Sequence, residues 1–369
     1  MLTVQTKPAS MLRSFLIILV CNLFMVAAVK AQKLNNQIDS LILGAMPDQQ
    51  GPGAAFMVAQ KGKVIYQKAF GKANLELGVN LSPESVFQLG SMTKQFTAVA
   101  ILLLEQQGKL KVSDPIAKYI PDYPAGDKIT LHHLLTHTSG IKDFTKMKAL
   151  ADIAQKEMTP KMMVGFFKDE PVDFAPGERF EYNNSGYVLL GYLIELVSGE
   201  SYASFIQQHI FKPIGMEHSY YASDRQVIYN RAYGYKKKES GYVNKTAINF
   251  SVPFASGALM STLVNLLKWQ NALNQNKLLN TAETQKAFSR YKLNNGELFN
   301  YGYGWHIKVM DALPARTHGG SIFGFKSMGV YLPGEDIYVV GLSNCDCISP
   351  TILTENIAKL VIAKTVKSK

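Results

Sequence analysis

The chain has 369 residues, a formal net charge of +11 and 47% hydrophobic residues, enough to bury a large core in about two domains. Its three cysteines are too few for a disulfide framework. The basic residues are scattered, and their single tight run, Lys236–Lys238, is typical of a solvated hairpin. We therefore expect no nucleic-acid partner.

The first 31 residues have the pattern of a secretory signal. Lys7 and Arg13 give a positive start, Phe15–Val29 is almost uninterrupted apolar sequence, and Ala31 ends a small-residue cleavage site. We expect cleavage after Ala31 and an exported protein, periplasmic or secreted, without stable membrane insertion. The alternatives are an uncleaved anchor, for which the run is shorter than the roughly 20 residues of a spanning helix, and a lipid anchor on Cys21.

Strand patterns occur near both ends of the remaining chain and helical patterns lie between them. The predicted strands are two within Ala54–Tyr66, joined by a turn at 61–63, a continuation over Ala69–Leu77, and then Tyr303–Val309, Phe325–Leu332 and Ile337–Ser343. The pattern is helical from Ser91 to about Lys292, with Asp114-Pro115 as one helix start and helices at Gly186–Val197 and Thr262–Leu273, and a last helix covers Pro350–Val366.

This order predicts an α/β (α+β) fold. One antiparallel sheet is built from both ends of the chain and flanked by helices, with an all-helical domain inserted. We place the sheet domain at 32–88 and 297–369 and the helical domain at 89–296. A cleft between two such layers is a natural place for a small ligand.

Cys345 and Cys347 remain after signal cleavage. On one extended strand their Cα atoms would lie about 6.7 Å apart, at the long end for a disulfide. We therefore expect the fold to depend on its core rather than on this pair.

The pattern Ser-x-x-Lys occurs three times, beginning at Ser91, Ser139 and Ser289. Ser139 precedes a glycine in a turn and Ser289 ends a polar helix, whereas Ser91 opens a helix that is apolar nearly all round. Positions i and i+3 share a helix face, so Lys94 can direct its amine at the Ser91 hydroxyl. Burial would lower the pKa of Lys94 and favour an activated nucleophile. The simpler alternative is that Ser91 caps the helix and Lys94 reaches solvent.

Two later segments add polar groups. Tyr182 and Asn184 precede a buried helix, where a loop can present a phenol as a base and an amide to a substrate. A capping Asn beside a core Tyr would give the same sequence. His318 and Gly320 are expected at the start of a strand, where glycine lets a ligand approach closely. The N–H groups of Ser321 and Ser91 would then form a two-donor oxyanion hole.

Ser91-Met92-Thr93-Lys94, Tyr182-Asn183-Asn184 and His318-Gly319-Gly320, in this order, resemble the three motifs of serine β-lactamase-related hydrolases. The match is to the branch of class C β-lactamases, D-alanyl-D-alanine carboxypeptidases and esterases, and segments 134–141 and 301–307 are also similar. The resemblance implies the same sheet with a helical insertion. It implies that Ser91 is acylated, that Lys94 and Tyr182 share the proton transfers, and that Asn184, His318 and Gly320 contact substrate.

The third motif departs from the lactamase pattern, because His318 replaces the lysine of Lys-Thr-Gly. A histidine titrating near pH ~6.5 weakens recognition of a β-lactam carboxylate. We therefore expect a hydrolase of peptides, amides or esters, including D-amino-acid cell-wall peptides, before an efficient β-lactamase. No cofactor is expected, and the oligomeric state is left open.

Two other classes of protein compete with this interpretation. His133 and His137, with the adjoining His132, have zinc-like spacing but lack an evident further ligand. A non-catalytic cell-wall sensor with the same fold is the second alternative. A serine-directed probe separates a nucleophile from a binding protein.

Overall fold

The protein is described by a computed structural model that covers residues 32–366. The predicted signal segment, 1–31, lies outside the described residues. Between residues 32 and 366 no helix combines the length and apolarity needed to cross a bilayer.

The strands, in chain order, are β1 Ala54–Gln60, β2 Lys63–Phe70, β3 Lys72–Asn74, β4 Val79–Asn80, β5 Phe87–Gln88, β6 Tyr220–Tyr221, β7 Tyr235–Lys238, β8 Gly241–Asn244, β9 Leu259–Ser261, β10 Tyr291–Lys292, β11 Leu298–Phe299, β12 His306–Met310, β13 Leu313–Ile322, β14 Phe325–Leu332 and β15 Ile337–Ser343.

The helices are α1 (32–45), α2 Thr93–Gln106, α3 Leu131–Leu135, α4 Leu150–Ile153, α5 Pro160–Phe167, α6 Asn184–Ser198, α7 Tyr202–Ile206, α8 Phe254–Gly257, α9 Leu263–Asn274, α10 Thr281–Ala287 and α11 Pro350–Val361.

The main sheet has six strands in the order β12-β13-β14-β15-β1-β2. Its neighbouring strands are all antiparallel, and β1 from the N-terminal part pairs with β15 from the C-terminal part. The predicted fold class, an antiparallel sheet built from both ends of the chain and flanked by helices, is confirmed.

Apolar side chains cover both faces of the sheet. Ile38 of α1 and Ile357 of α11 belong to a buried cluster that contains Phe56 and Val339 of the central strands. The opposite face contributes to a larger cluster formed with the helices between β5 and β10. Strands β1 and β15 are buried on both faces almost throughout. Their sequences are therefore nearly continuous in apolar residues and do not alternate between apolar and polar residues.

Helix α2 lies in the centre of the larger cluster. Every residue from Thr93 to Leu104 is buried. Phe96 stacks on Trp269 of α9 with ring centroids 4.2 Å apart and meets the edge of Phe211 at 5.7 Å. A helix buried on all sides is held rigidly, so the side chains of its first turn are held rigidly as well.

Several predicted boundaries were wrong. The segment from Ala69 to Leu77 continues the main sheet only to Phe70, the last residue of β2. Beyond it the Lys72 amide donates to Gly51 O, and β3 pairs with β4 instead. Asp114 does not begin an α-helix. Its carboxylate holds a local turn by accepting from Lys111 N and Lys118 Nζ, and only a 3₁₀ turn at Ile116–Lys118 follows.

The stretch predicted as uniformly helical contains short strands, among them the β7–β8 hairpin expected around Lys236–Lys238. The last helix changes from α to π geometry after Val361.

The separation expected for the cysteines was also wrong, because Cys345 and Cys347 form a disulfide with their Cα atoms 5.1 Å apart. Strand β15 ends at Ser343, and the chain then turns. Cys345 forms an isolated parallel β-bridge with Tyr235, whose carbonyl accepts a hydrogen bond from Asp346 N. The extended geometry assumed from the sequence therefore does not apply at these positions.

Candidate active site

Ser91 lies in a 3₁₀ turn, Gly90–Met92, that leads directly into α2. Gly90 has φ +54°, and a methyl group on it would lie 2.9 Å from Ser321 N. A methyl group on Gly320 would lie 2.0 Å from Leu89 O and 2.9 Å from Ser91 N. Glycine at both positions therefore lets β13 contact the turn, and the two N–H groups predicted as oxyanion donors lie on adjoining backbone segments.

Two hydrogen bonds hold this turn in place. The buried Ser327 hydroxyl of β14 donates to Leu89 O at 2.7 Å. On the other side, Leu259 N of β9 donates to the Thr93 hydroxyl at 3.1 Å. The N-terminus of α2 is thus fixed against both the main sheet and the three-stranded sheet β5-β9-β6.

Lys94 is fully buried and makes three short contacts through its amine. Nζ lies 3.2 Å from Ser91 Oγ, 2.9 Å from Asn184 Oδ1 and 2.9 Å from Ser256 O. The amide and peptide oxygens can only accept, so a neutral amine donates its two hydrogens to them. Its lone pair is then directed at the Ser91 hydroxyl.

Burial lowers the pKa of Lys94 to about 7, and the negative charge of Asp143 opposes that shift. A lysine with this pKa is neutral for a large fraction of the time near pH 7. It can therefore accept a proton, which an ordinary surface lysine cannot do at that pH.

Asp143 determines how Asn184 is oriented. The Asn184 amide nitrogen donates to Asp143 Oδ2 at 3.2 Å and to the Thr145 hydroxyl at 3.3 Å. Because a carboxylate accepts only, the Asn184 oxygen must face Lys94. Sequence reasoning missed Asp143, although an acid three residues after the Thr-Ser-Gly turn at 138–140 was a usable signal.

The third partner of Lys94 is the backbone carbonyl of Ser256, which could not be predicted from the sequence. Ser256 belongs to α8, whose first residue, Phe254, has φ +40°, uncommon outside glycine. The neighbouring Ala255 O accepts from the Thr97 hydroxyl at 2.7 Å. Helix α8 is therefore held against α2 with its carbonyls directed at the site.

Tyr182 packs its ring against the same amine, with Lys94 Nζ 4.9 Å from the ring centroid. Its hydroxyl is buried and makes no hydrogen bond of good geometry with the residues of the described chain. Burial raises the pKa of Tyr182, and the nearby Ser91 hydroxyl offsets only part of that rise. Tyr182 is therefore protonated in the free protein and is suited to donate a proton.

His318 is only 2% exposed and lies behind the cavity rather than on its wall. Its Nδ1 is 2.6 Å from Gly319 O, which can only accept, so Nδ1 carries the proton and Nε2 accepts from the Tyr301 hydroxyl at 3.0 Å. Burial, with the positive charges of His306 and Lys94, holds its pKa well below the usual value. The side chain is neutral, and both its ring nitrogens bind protein groups.

The predicted strand start at His318 was wrong, because β13 begins at Leu313 and the motif lies in its second half. β12 pairs with β13 only over Leu313–Thr317. Within the described chain, residues 318–322 therefore present an edge with no neighbouring strand on that side.

These elements enclose a cavity of about 520 Å³. Ser91, Tyr182, Asn184 and Ser321 line it at one end. The rest of its wall is largely apolar, with three charged side chains; it includes Phe144, Leu150, Ile248, Val252, Ile322, Phe323, Lys236, Lys326 and Asp346. Gly320 lies behind this wall against the nucleophile turn.

The competing candidates do not form a second site. Ser139 is buried, and Lys142 forms an ion pair with Asp173 at 2.5 Å instead of contacting it. The Ser289 hydroxyl donates to Gln285 O. Each candidate zinc histidine has one ring nitrogen hydrogen-bonded to a protein group: His132 Nδ1 to the Tyr303 hydroxyl, His133 Nδ1 to Thr130 N and His137 Nδ1 to Asn183 N. Residues 32–366 contain no group of three or more His, Cys, Asp or Glu side chains placed to hold a metal ion.

An antiparallel sheet flanked by helices, with Ser91 and Lys94 at the head of a buried central helix, defines the penicillin-binding and β-lactamase class of folds. The chain belongs to the Beta-lactamase family, whose model matches residues 38–356.

Penicillin-binding protein 4* of Bacillus subtilis (strain 168) is 31% identical over 310 residues, which cover 78% of this chain and 67% of that protein. The octameric penicillin-binding protein homologue from Pyrococcus abyssi is 31% identical, with a TM-score of 0.79 over 89% of this chain and 77% of that one. D-amino acid amidase from Ochrobactrum anthropi SV3, 24% identical with a TM-score of 0.78 over 91% of this chain and 99% of that one, shares the fold.

Proposed function

We propose that this protein is an exported serine hydrolase that forms an acyl-enzyme on Ser91 with a peptide, amide or ester substrate. The observation that carries the proposal is the buried amine of Lys94. Its nitrogen lies 2.9 Å from each of two acceptor-only oxygens and 3.2 Å from the Ser91 hydroxyl, so that in the neutral form its lone pair is left for that hydroxyl. This arrangement is that of a general base beside a nucleophile.

The proposed reaction begins when the Ser91 proton passes to Lys94 as Oγ attacks the substrate carbonyl. The resulting oxyanion accepts from the N–H groups of Ser91 and Ser321, which are preorganised by the contact between β13 and the turn. Tyr182 gives its phenolic proton to the leaving nitrogen or oxygen and recovers a proton from the Lys94 ammonium. Water then attacks the acyl-enzyme by the same steps in reverse.

The acid and base roles follow from the two environments. A lysine with a pKa of about 7 suits a base near neutral pH. Burial raises the pKa of Tyr182 and keeps the phenol protonated, so that it holds a proton to pass to the leaving group. We assign Asn184 to orienting Lys94 as well as to contacting the substrate amide.

Hydrolysis of a β-lactam is the second candidate, supported by the family and by the penicillin-binding relative. The buried, neutral His318 argues against it, because it offers no cation for the β-lactam carboxylate. A non-catalytic cell-wall sensor with the same fold remains the alternative of another class, and export rests on the N-terminal sequence pattern.

Mass spectrometry after treatment with a fluorophosphonate or penicillin tests the nucleophile. We expect one adduct on Ser91, absent in Ser91→Ala and retained in the matched variant Ser289→Ala. A turnover screen over nitrocefin, p-nitrophenyl esters and D-amino-acid peptides then separates the substrate classes. Turnover that survives in Ser91→Ala would refute the proposal, and a folded protein that neither labels nor turns over would favour the sensor.

A further inference from the structure

One end of the cavity carries positive charge that no protein group fully neutralises. Lys326 of β14 lines the cavity and is half-buried, and its ammonium group has no hydrogen bond or ion pair within the described chain. Lys236 of β7 lines it too, donates to the Thr246 hydroxyl at 2.8 Å, and lies 3.9 Å from Asp346. Asp346 also accepts from Gly324 N at 2.9 Å. Two cations against one carboxylate leave a net charge of +1.

The position of Lys326 relative to the reacting centre follows from the strand register. It lies directly opposite Ser321 in the β13–β14 ladder. Cβ atoms of such a pair are about 5 Å apart, and their side chains share a face of the sheet. Lys326 and Ser321 therefore line the same cavity from paired positions of the two strands.

The same strand shows which half of a substrate would reach this charge. The rings of Tyr182 and His318 have centroids 6.2 Å apart, so the phenol that protonates the leaving group lies toward the start of the 318–322 edge. The acyl half must extend the other way, toward Ile322 and Phe323, where Lys326 and Lys236 line the cavity.

The wall between the reacting centre and the lysines is apolar. Phe144, Leu150, Ile248 and Val252 line it, and Lys236 lies over the ring of Phe323 with Nζ 5.3 Å from its centroid. An apolar wall excludes water and strengthens the attraction between an ammonium group and an anion. The lining therefore suits an acyl group with an apolar stretch that ends in a negative charge.

We propose that the preferred substrates are acyl donors that carry a carboxylate on the acyl side, bound by Lys326 with Lys236 as a second cation. This inference rests on the proposed acyl-enzyme function of Ser91. It names an acidic acyl group, such as a peptide segment with a free carboxylate, as the chemical class that the cleft selects.

Two p-nitrophenyl esters test the inference: the mono-ester of suberic acid and its neutral counterpart, p-nitrophenyl suberamate. They differ only in a terminal carboxylate or carboxamide at the end of an apolar chain. With uncatalysed rates subtracted, we expect kcat/KM to favour the acid by about tenfold or more, as for a hydrogen bond to a charged group. Raising the ionic strength should reduce that preference.

Lys326→Gln should remove most of the preference for the acid by lowering kcat/KM for the acid far more than for the neutral ester. The matched control is Lys237→Gln, which loses the same charge one residue from Lys236. Lys237 is exposed and lies against Tyr242, outside the cavity, so this variant should retain the preference.

Equal rates for the two esters in the wild type, or a preference that persists in Lys326→Gln, would overturn the subsite and leave the hydrolase proposal intact. If neither ester turns over, suberamic acid and suberamide are compared as competitors of fluorophosphonate labelling at Ser91. Stronger protection by the acid supports the subsite, and equal protection overturns it. Absence of labelling would instead refute the proposed function.

Discussion

Replacing Gly320 with alanine tests whether the contact between β13 and the nucleophile turn positions the oxyanion donors. The new methyl group would lie 2.0 Å from Leu89 O, an overlap of roughly 1.4 Å against an ordinary contact of 3.4 Å. It would also lie 2.6 Å from Ser327 Oγ and 2.9 Å from Ser91 N. Leu89 O and Ser91 N are backbone atoms, so the strand or the turn must move by about 1 Å. A displacement of that size, or the loss of one donor, lowers kcat about 10²- to 10³-fold, equivalent to about 3 to 4 kcal/mol.

The assay is the steady-state hydrolysis of the best ester found in the turnover screen, with thermal melting to confirm that the variant folds. The matched control is Gly319→Ala, whose methyl group meets nothing closer than 3.2 Å and should keep activity within a few-fold. A folded Gly320→Ala protein with kcat within about fivefold of wild type would refute this account of the donors, since one lost donor costs more than that.

Three further predictions concern the buried charges and hydrogen bonds. Because Lys94 must be neutral to act and its pKa is about 7, kcat/KM should fall about tenfold per pH unit below that value. Asp143→Asn removes the charge that raises this pKa, so the acidic side of the pH profile should move to lower pH. An acidic side that stays in place would contradict the assignment of Lys94 as the base. The pKa of Lys94 lies below its unfolded value of 10.5, so the unfolded state binds one more proton between the two values. The free energy of unfolding of wild type minus that of Lys94→Met, both measured by chemical denaturation, should therefore rise by about 1.4 kcal/mol per pH unit from pH 7 to 10. A difference that stays constant with pH would mean that Lys94 remains charged in the folded protein. Tyr301→Phe leaves Nε2 of the buried His318 without a donor and should lower the free energy of unfolding by about 1–3 kcal/mol while Ser91 still labels, and unchanged stability would show that the pair contributes little.

The sequence predicted best the parts of the site that depend on short-range geometry. Ser91 and Lys94 are three residues apart at the start of a buried helix, and that spacing alone brings a hydroxyl near an amine. Tyr182 and Asn184 were identified by their position before a buried helix and by their order in the family. Their contacts with Lys94 join residues about ninety positions apart, which no spacing rule could give.

The groups that were missed act through long-range or backbone contacts. The carbonyl of Ser256 could not be recognised from a residue type, because every residue has one. Asp143 orients Asn184 only because the segment at 143–145 contacts the start of α6 in the folded chain. His318 was interpreted as a titratable substitute for a lysine, but its environment, with Tyr301 and a backbone carbonyl on its two nitrogens, makes it a buried neutral residue.

The errors in the fold have similar causes. Pro314 lacks an amide hydrogen, so the start of β13 was not recognised as a strand from the sequence. The strand tolerates this proline because β13 pairs there only with the short edge strand β12. The distance between the cysteines was estimated for extended chain, whereas the backbone turns after Ser343. Both outcomes depend on neighbours that are remote in sequence.

The pairing of β1 with β15 also affects how the chain can be assembled. The amide of Gly53, just before β1, donates to the side chain of Asn344, just after β15, across 291 positions. During synthesis the edge of β1 that pairs with β15 therefore stays open until residues 337–343 have left the ribosome. Such distant pairing is slow, and open edges invite aggregation. A chain truncated before Ile337 would contain every residue proposed for the chemistry and still have an incomplete sheet, so this protein should reach its working form only after β15 has been made.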